Sequence, residues 1–149
     1  MKKSVKVMLF IAVIGAGGML FLFLGPPKLL AKSDKPDFCM RCHVMESNYE
    51  AWIHAGAHRR NKCVDCHLPN HNIGLHYMWK SVDGLKDALF FYSGRVPEQI
   101  RLTSHGQKVV QANCIRCHES TVEFIDHSRK CWACHKRIAH KTSGAIETL

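Results

Sequence analysis

At 149 residues the chain has room for one membrane segment and one small domain, and not for two domains of ordinary size. Lys and Arg number 21 against 12 Asp and Glu, a formal charge of +9 that by itself points to nucleic acid or an anionic membrane surface. The lysines are spread along the chain and no nucleic-acid-binding motif is present, so nucleic acid is set aside as a partner and the charge needs another explanation.

In chain order, a short N-terminus carrying Lys2, Lys3 and Lys6 precedes Val7 to Leu24, an uncharged apolar run that ends at Gly25-Pro26-Pro27. Such a run is long enough to cross a bilayer as one helix. A cleaved signal peptide normally has a shorter apolar region followed by small residues, and Leu29-Leu30-Ala31-Lys32 is a poor cleavage site, so an uncleaved anchor is expected. Lys28, Lys32 and Lys35 on the far flank leave the charge rule nearly silent on orientation. Gly15, Gly17 and Gly18 would permit close helix approach, but glycine is common in membrane helices and this cluster is weak evidence of dimerisation. The boundaries are 1–31 for the N-terminus and anchor, with the span at about 7–24, and 32–149 for one domain without a Pro/Gly/Ser-rich linker.

All eight cysteines lie in four stretches: Cys39-Met-Arg-Cys42-His43, Cys63-Val-Asp-Cys66-His67, Cys114-Ile-Arg-Cys117-His118 and Cys131-Trp-Ala-Cys134-His135. Each reads C-x-x-C-H. On a helical turn, residues three and four apart face the same way, so both thiols can bond the vinyl groups of one porphyrin while the following histidine reaches its iron. This is the attachment signature of c-type haem. Paired zinc ribbons or a disulfide framework would also use C-x-x-C units, but neither requires a histidine directly after the second cysteine. Four covalently bound haems c are therefore expected, with Cys39, Cys42, Cys63, Cys66, Cys114, Cys117, Cys131 and Cys134 as attachment points. Their propionates, about eight carboxylates, largely offset the basic excess.

About 115 residues for four haems, roughly 30 each, is too little for a large apolar core, so the porphyrins must serve as the core. The chain without haem should not fold, because ligation free energy becomes folding free energy when no preformed site exists. Haem c is attached outside the bacterial cytoplasm, which puts the domain after the anchor in the periplasm.

The motifs begin at 39, 63, 114 and 131, which reads as two haem pairs joined by a longer central segment, the second pair the tighter. The fold class is mainly α: one transmembrane helix plus a small multihaem domain with little regular structure. Val44 to His58 reads as a helix. The central segment is the most periodic, with Leu75, Met78, Trp79, Val82, Leu85, Leu89 and Phe90 at helical spacing, ended by Gly94 and Pro97. It is either an amphipathic helix packed on haems or an interfacial helix beside the bilayer, which Trp79, Phe91 and Tyr92 would suit. Gln107 to Ala112 and Thr121 to Asp126 read as short helical leads into the third and fourth motifs, and no strand pattern is evident.

Seven histidines, His54, His58, His71, His76, His105, His127 and His140, lie outside the motifs. That surplus argues for mainly bis-histidine ligation, which holds haem potentials lower than His/Met ligation does. Met45, two residues after His43, is close enough to ligate the first iron in place of His43, although taken alone it reads as a flexible apolar filler.

A short N-terminus, one uncleaved anchor, four C-x-x-C-H motifs and a first motif extended to C-x-x-C-H-x-M resemble the NapC/NirT family of membrane-anchored cytochrome c quinol dehydrogenases. At this length the chain is most similar to the branch that serves cytochrome c nitrite reductase as its small subunit. The resemblance runs from the anchor to about residue 141. It implies a quinol dehydrogenase subunit in the inner membrane, fed by menaquinol from the quinone pool and passing electrons to the catalytic subunit of a periplasmic multihaem reductase. That partner would be the enzyme reducing nitrite to ammonium in anaerobic respiration; the chain is not itself the nitrite-reducing subunit.

The same resemblance implies Met45 as axial ligand of the first haem with His43 displaced, and His67, His118 and His135 as proximal ligands of the other three. His58 and His140 match the distal histidines, and a third distal ligand is left to His71, His76, His105, His127 or a partner. Lys80 and Asp87 match the polar residues beside the first haem where menaquinol binds: a lysine can hydrogen-bond a quinol headgroup and a carboxylate can take its proton. As bare sequence they also read as a solvated helix face. A passive anchored carrier, or a quinol dehydrogenase serving another reductase, are the alternatives. A terminal reductase is disfavoured, since so small a shell leaves little protein to shape a substrate pocket.

Overall fold

A computed structural model describes residues 2–25, 28–138 and 140. The first helix, α1 (Lys2–Leu24), contains an apolar stretch, Ser4–Leu24, with mean hydropathy 2.6 and no residue buried against the rest of the chain. By length and composition it can cross a membrane, as the uncharged run predicts, and it begins earlier because the N-terminal lysines continue the same helix. It stops at Gly25, whose N–H still bonds the Phe21 carbonyl at 2.8 Å and where a Cβ would collide with that oxygen.

Two short helices, α2 (Leu29–Lys32) and α3 (Pro36–Cys39), carry the chain from the anchor into the first motif. Lys28 enters α2 with φ +46°, and Pro36 supplies a preset φ at the first position of α3. The segment expected as one helix from Val44 to His58 is broken into a 3-10 turn at His43–Met45, α4 (Glu46–Ile53) and a second 3-10 turn at Gly56–Arg60. Helix α4 ends at Ile53 with His54 as its C-cap, and Gly56, at φ +62°, opens the second 3-10 turn.

The second motif forms α5 (Cys63–His67), and the periodic central segment forms α6 (Ile73–Tyr92), capped by Asn72, whose Oδ1 accepts from the Leu75 N–H at 3.0 Å. Helix α6 closes at Ser93 and Gly94, the latter at φ +67°. Thr103 caps α7 (Ser104–Val122) by accepting from the Gly106 N–H at 3.1 Å. This helix starts before the expected lead and runs through the third motif, kinked at His118. The expected lead at Thr121–Asp126 is instead largely turn, and α8 (Cys131–Cys134) with a 3-10 turn at Lys136–Ile138 completes the described structure. Among the described residues there are no strands.

Very little of the protein is buried. Among the described residues the apolar core amounts to Ala51, Leu68 and Val109 at 5–8% exposure, while Leu75, Met78, Val82, Leu85, Leu89 and Phe90 on α6 remain exposed. A protein interior is normally close-packed. A chain with this many apolar side chains and no packed interior has the shape expected when bulky groups supply the core.

Candidate functional site

The second and fourth motifs each place both thiols on one short helical turn, α5 and α8, and the third lies inside α7. The first motif is built differently. Cys39 ends α3, the chain turns extended at Cys42, and the Met45 N–H bonds the Cys42 carbonyl at 2.8 Å, which curls His43 and Met45 into a single tight turn. His43 lies against Phe91 of α6, with ring centroids 5.5 Å apart.

None of the eight cysteines is paired in a disulfide. Thiols of neighbouring motifs face one another. Cys63 hydrogen-bonds Cys39 and holds its thiol down to about 7 against the opposing effect of burial, with the Lys80 charge adding to the lowering, and the same bond keeps Cys63 above its ordinary value. Burial and the adjacent Cys131 push Cys114 up to about 11. Burial raises Cys66 too, with Asp65 and Cys117 contributing. The first motif thus adjoins the second, the second the third and the third the fourth. That is a chain of four sites in sequence order, in which the second and third motifs adjoin as the others do.

Histidines from distant parts of the chain converge in the same region. The rings of His58 and His118 have centroids 6.1 Å apart, and those of His67 and His140 lie 5.9 Å apart and within 24° of parallel. Metal–imidazole bonds are about 2 Å long, so two imidazoles facing one metal ion have centroids about 6 Å apart. His140 Nδ1 is tied to the Asn48 carbonyl at 3.1 Å, leaving Nε2 for a metal. Burial first, and then the proximity of His140, lower the His67 pKa and favour the neutral imidazole that a metal requires. Free thiol pairs on single turns, histidines at the separation of axial ligands and the near-empty apolar interior all fit bound haem.

The remaining histidines are differently placed. His76 is buried with Nδ1 on the Pro69 carbonyl at 3.2 Å, and His127 Nε2 meets the Val122 carbonyl at 3.1 Å. His54 is exposed beside Glu50, and His71 lines an open cavity with His76. His105 stacks on Trp79 at 3.5 Å, and its buried Nε2 has no hydrogen-bond partner among the described residues. His135 lies at the surface beside Lys136 and Ile138.

Lys80 and Asp87 lie seven residues apart on α6, hence on one face about two turns apart. Their surroundings differ. Lys80 is only 15% exposed, ion-paired with Asp34 and hydrogen-bonded to the Leu30 carbonyl at 3.1 Å, immediately beyond the anchor. Asp87 is 74% exposed and 3.5 Å from Lys86.

Three further residues, none distinguished by the motifs, hold the sites together. Asn113 on α7 donates from Nδ2 to the carbonyls of Cys66 and Leu68, each at 2.9 Å. Asn70 donates to the Asp65 and Leu68 carbonyls at 2.9 and 2.8 Å. Gln111 donates from Nε2 to the His127 and Arg129 carbonyls at 3.3 and 3.0 Å, and its Oε1 accepts from the Cys131 N–H at 3.1 Å. One helix therefore carries the third motif and clamps the second and fourth. The one sequence signal was two amides immediately upstream of Cys114.

Residues 1–121 match the NapC/NirT cytochrome c family, N-terminal region. The chain is 32% identical over 156 residues to the cytochrome c-type protein NrfH of Wolinella succinogenes, covering 95% of this chain and 86% of that one. It is 30% identical over 120 residues to the cytochrome c nitrite reductase subunit NrfH of Nitratidesulfovibrio vulgaris, covering 78% of this chain and 74% of the relative. The fold superimposes on a chain of the crystal structure of the cytochrome c nitrite reductase NrfHA complex bound to the HQNO inhibitor, with TM-score 0.67, 25% identity and 90% of each chain covered. With likeness extending over nearly all of its length, the chain belongs to the NapC/NirT cytochrome c family and carries covalently bound haem c.

Proposed function

We propose that this chain is a single-pass, membrane-anchored tetrahaem cytochrome c that oxidises menaquinol at the membrane face and passes the electrons to a periplasmic reductase, the catalytic subunit of cytochrome c nitrite reductase. The observation that carries this reading is the run of four neighbouring attachment turns, with the first of them beside Lys80 and the end of the anchor. The likeness to the nitrite reductase NrfH chains and to the HQNO-bound complex supports the quinol and nitrite assignments.

In this reading Cys39 and Cys42, Cys63 and Cys66, Cys114 and Cys117, and Cys131 and Cys134 each hold one haem. Met45 serves the first iron. His67 and His140 serve the second, and His118 and His58 the third, by the separations above. His135 serves the fourth from the surface. When bound, the haems supply one-electron carriers close enough for charge to hop from one to the next.

Lys80 donates a hydrogen bond to one quinol oxygen, and Asp87, two turns along the same helix face, takes the proton of the other hydroxyl. The domain beyond the anchor, residues 32–149, faces the periplasm, where the reductase docks.

The test is reduction of the detergent-purified, full-length protein by a menaquinol analogue, followed by transfer to the co-purified reductase. Reduction of all haems and nitrite-dependent reoxidation in the complex are expected. Haems that no quinol analogue reduces would overturn the proposal.

A further inference from the structure

Asp34 has no place in the site as the motifs describe it, yet the structure makes it the immediate partner of Lys80. Both side chains are largely withdrawn from water, at 15% and 16% exposure, and the Lys80 ammonium spends its other observed hydrogen bond on the Leu30 carbonyl at the membrane joint. Asp34 also lines an open cavity of about 290 Å³, with Lys62, Asp65, His71, His76 and Tyr77 among its walls beside the apolar Val64 and Ile73. A space of that size with polar walls holds several waters. Asp34 therefore adjoins both the lysine at the membrane edge and a largely polar vestibule.

The geometry points to Asp34 as a proton acceptor that hands protons to this vestibule, an inference that rests on the quinol reading. The two hydroxyls of a quinol lie at opposite ends of its ring. The hydroxyl facing Lys80 gives its proton to Asp34, which passes it to cavity water, and the other gives its proton to Asp87. The haem that Cys39 and Cys42 would hold would supply the one-electron acceptor for the quinol's two electrons, taken one at a time. One quinol thus yields one quinone, two electrons and two protons. The contact with Lys80 holds Asp34 in place between turnovers.

The experiment uses the full-length haem-loaded protein in detergent, with a menaquinol analogue as reductant and HQNO as binding probe. Asp34→Asn is expected to lower kcat by about 10²-fold, the low end for loss of a positioned base, with HQNO affinity within about twofold of wild type and Asp34→Glu recovering most of the rate. Haem content and the reduced spectrum should be those of wild type. An unchanged kcat in Asp34→Asn overturns the inference, as does a loss of HQNO affinity equal to the loss of rate, which marks a purely structural role. If Asp34→Asn is not recovered with haem, the double variant Lys80→Gln with Asp34→Asn, which removes both charges, is compared with Lys80→Gln alone. A further fall of about tenfold is expected there, and equality overturns the inference. Wild-type protein that neither binds HQNO nor accepts electrons from quinol sinks the quinol reading itself, a result distinct from any of these.

Discussion

The imidazoles of His67 and His140 face each other with ring centroids 5.9 Å apart and planes within 24° of parallel, although most of the domain separates them in sequence. His67 belongs to the second attachment motif and His140 follows the fourth, so one pair of rings ties the second motif to the segment after the last. Such a pair has a direct spectroscopic consequence. His140→Ala and His58→Ala should each convert one low-spin bis-histidine haem to a high-spin or exchangeable one, leaving the number of bound haems unchanged. Electron paramagnetic resonance of the oxidised protein counts these species. A His140→Ala protein with an unaltered low-spin signal would refute the pairing.

The first motif predicts a different kind of iron. Its turn brings Met45 to the Cys42 carbonyl, while His43 lies against Phe91. Met45→Leu should remove the axial ligand of the first haem and shift only that haem's potential and absorption, whereas His43→Ala should leave that spectrum in place. The reverse result assigns His43 as the ligand.

Asn113 and Gln111 are buried and fully occupied, so shortening either contact network is costly. Replacing Asn113 by Leu strands the Cys66 carbonyl, while Leu68 keeps Asn70 as its donor, and a buried polar group left unpaired costs about 1–3 kcal/mol. The melting temperature of the haem-loaded protein should fall by about 5–15 °C, at roughly 4–8 °C per kcal/mol for a small domain. Gln111→Leu should fall comparably, because it frees the Cys131 N–H and two carbonyls. Calorimetry on the two variants checks this. Surface changes such as Glu119→Gln, on an exposed position of the same helix, should leave the melting temperature within about 2 °C.

The chain expressed without haem attachment should be unfolded. Its own buried apolar side chains are few and small, and they cannot offset the conformational entropy of ordering so many residues. Limited proteolysis of the apo-protein should degrade everything beyond the anchor, while the haem-loaded protein resists. A protease-resistant apo-domain would contradict the view that the cofactors are its core.

The anchor and the attachment turns were legible in the sequence because their causes are local. A bilayer sets the length of an apolar helix, and thioether attachment needs two cysteines on one turn with a histidine next to them, all within five residues. Helix α6 was legible for the same reason, as its apolar periodicity is a property of neighbouring residues. The break between α4 and the 3-10 turn that Gly56 opens was not, since a pattern of apolar residues does not reveal where a helix gives way to a tighter turn.

What the sequence alone determined is therefore the chemistry of attachment: four turns, eight thiols, one membrane-length helix. Which histidine faces which, that Lys80 meets Asp34, and that Asn113 and Gln111 clamp two other motifs to the third were decided only by the tertiary structure. These contacts join residues far apart along the chain. The path that brings them together is set by packing around bulky groups and by buried hydrogen bonds, neither of which leaves a periodic trace in the order of the amino acids.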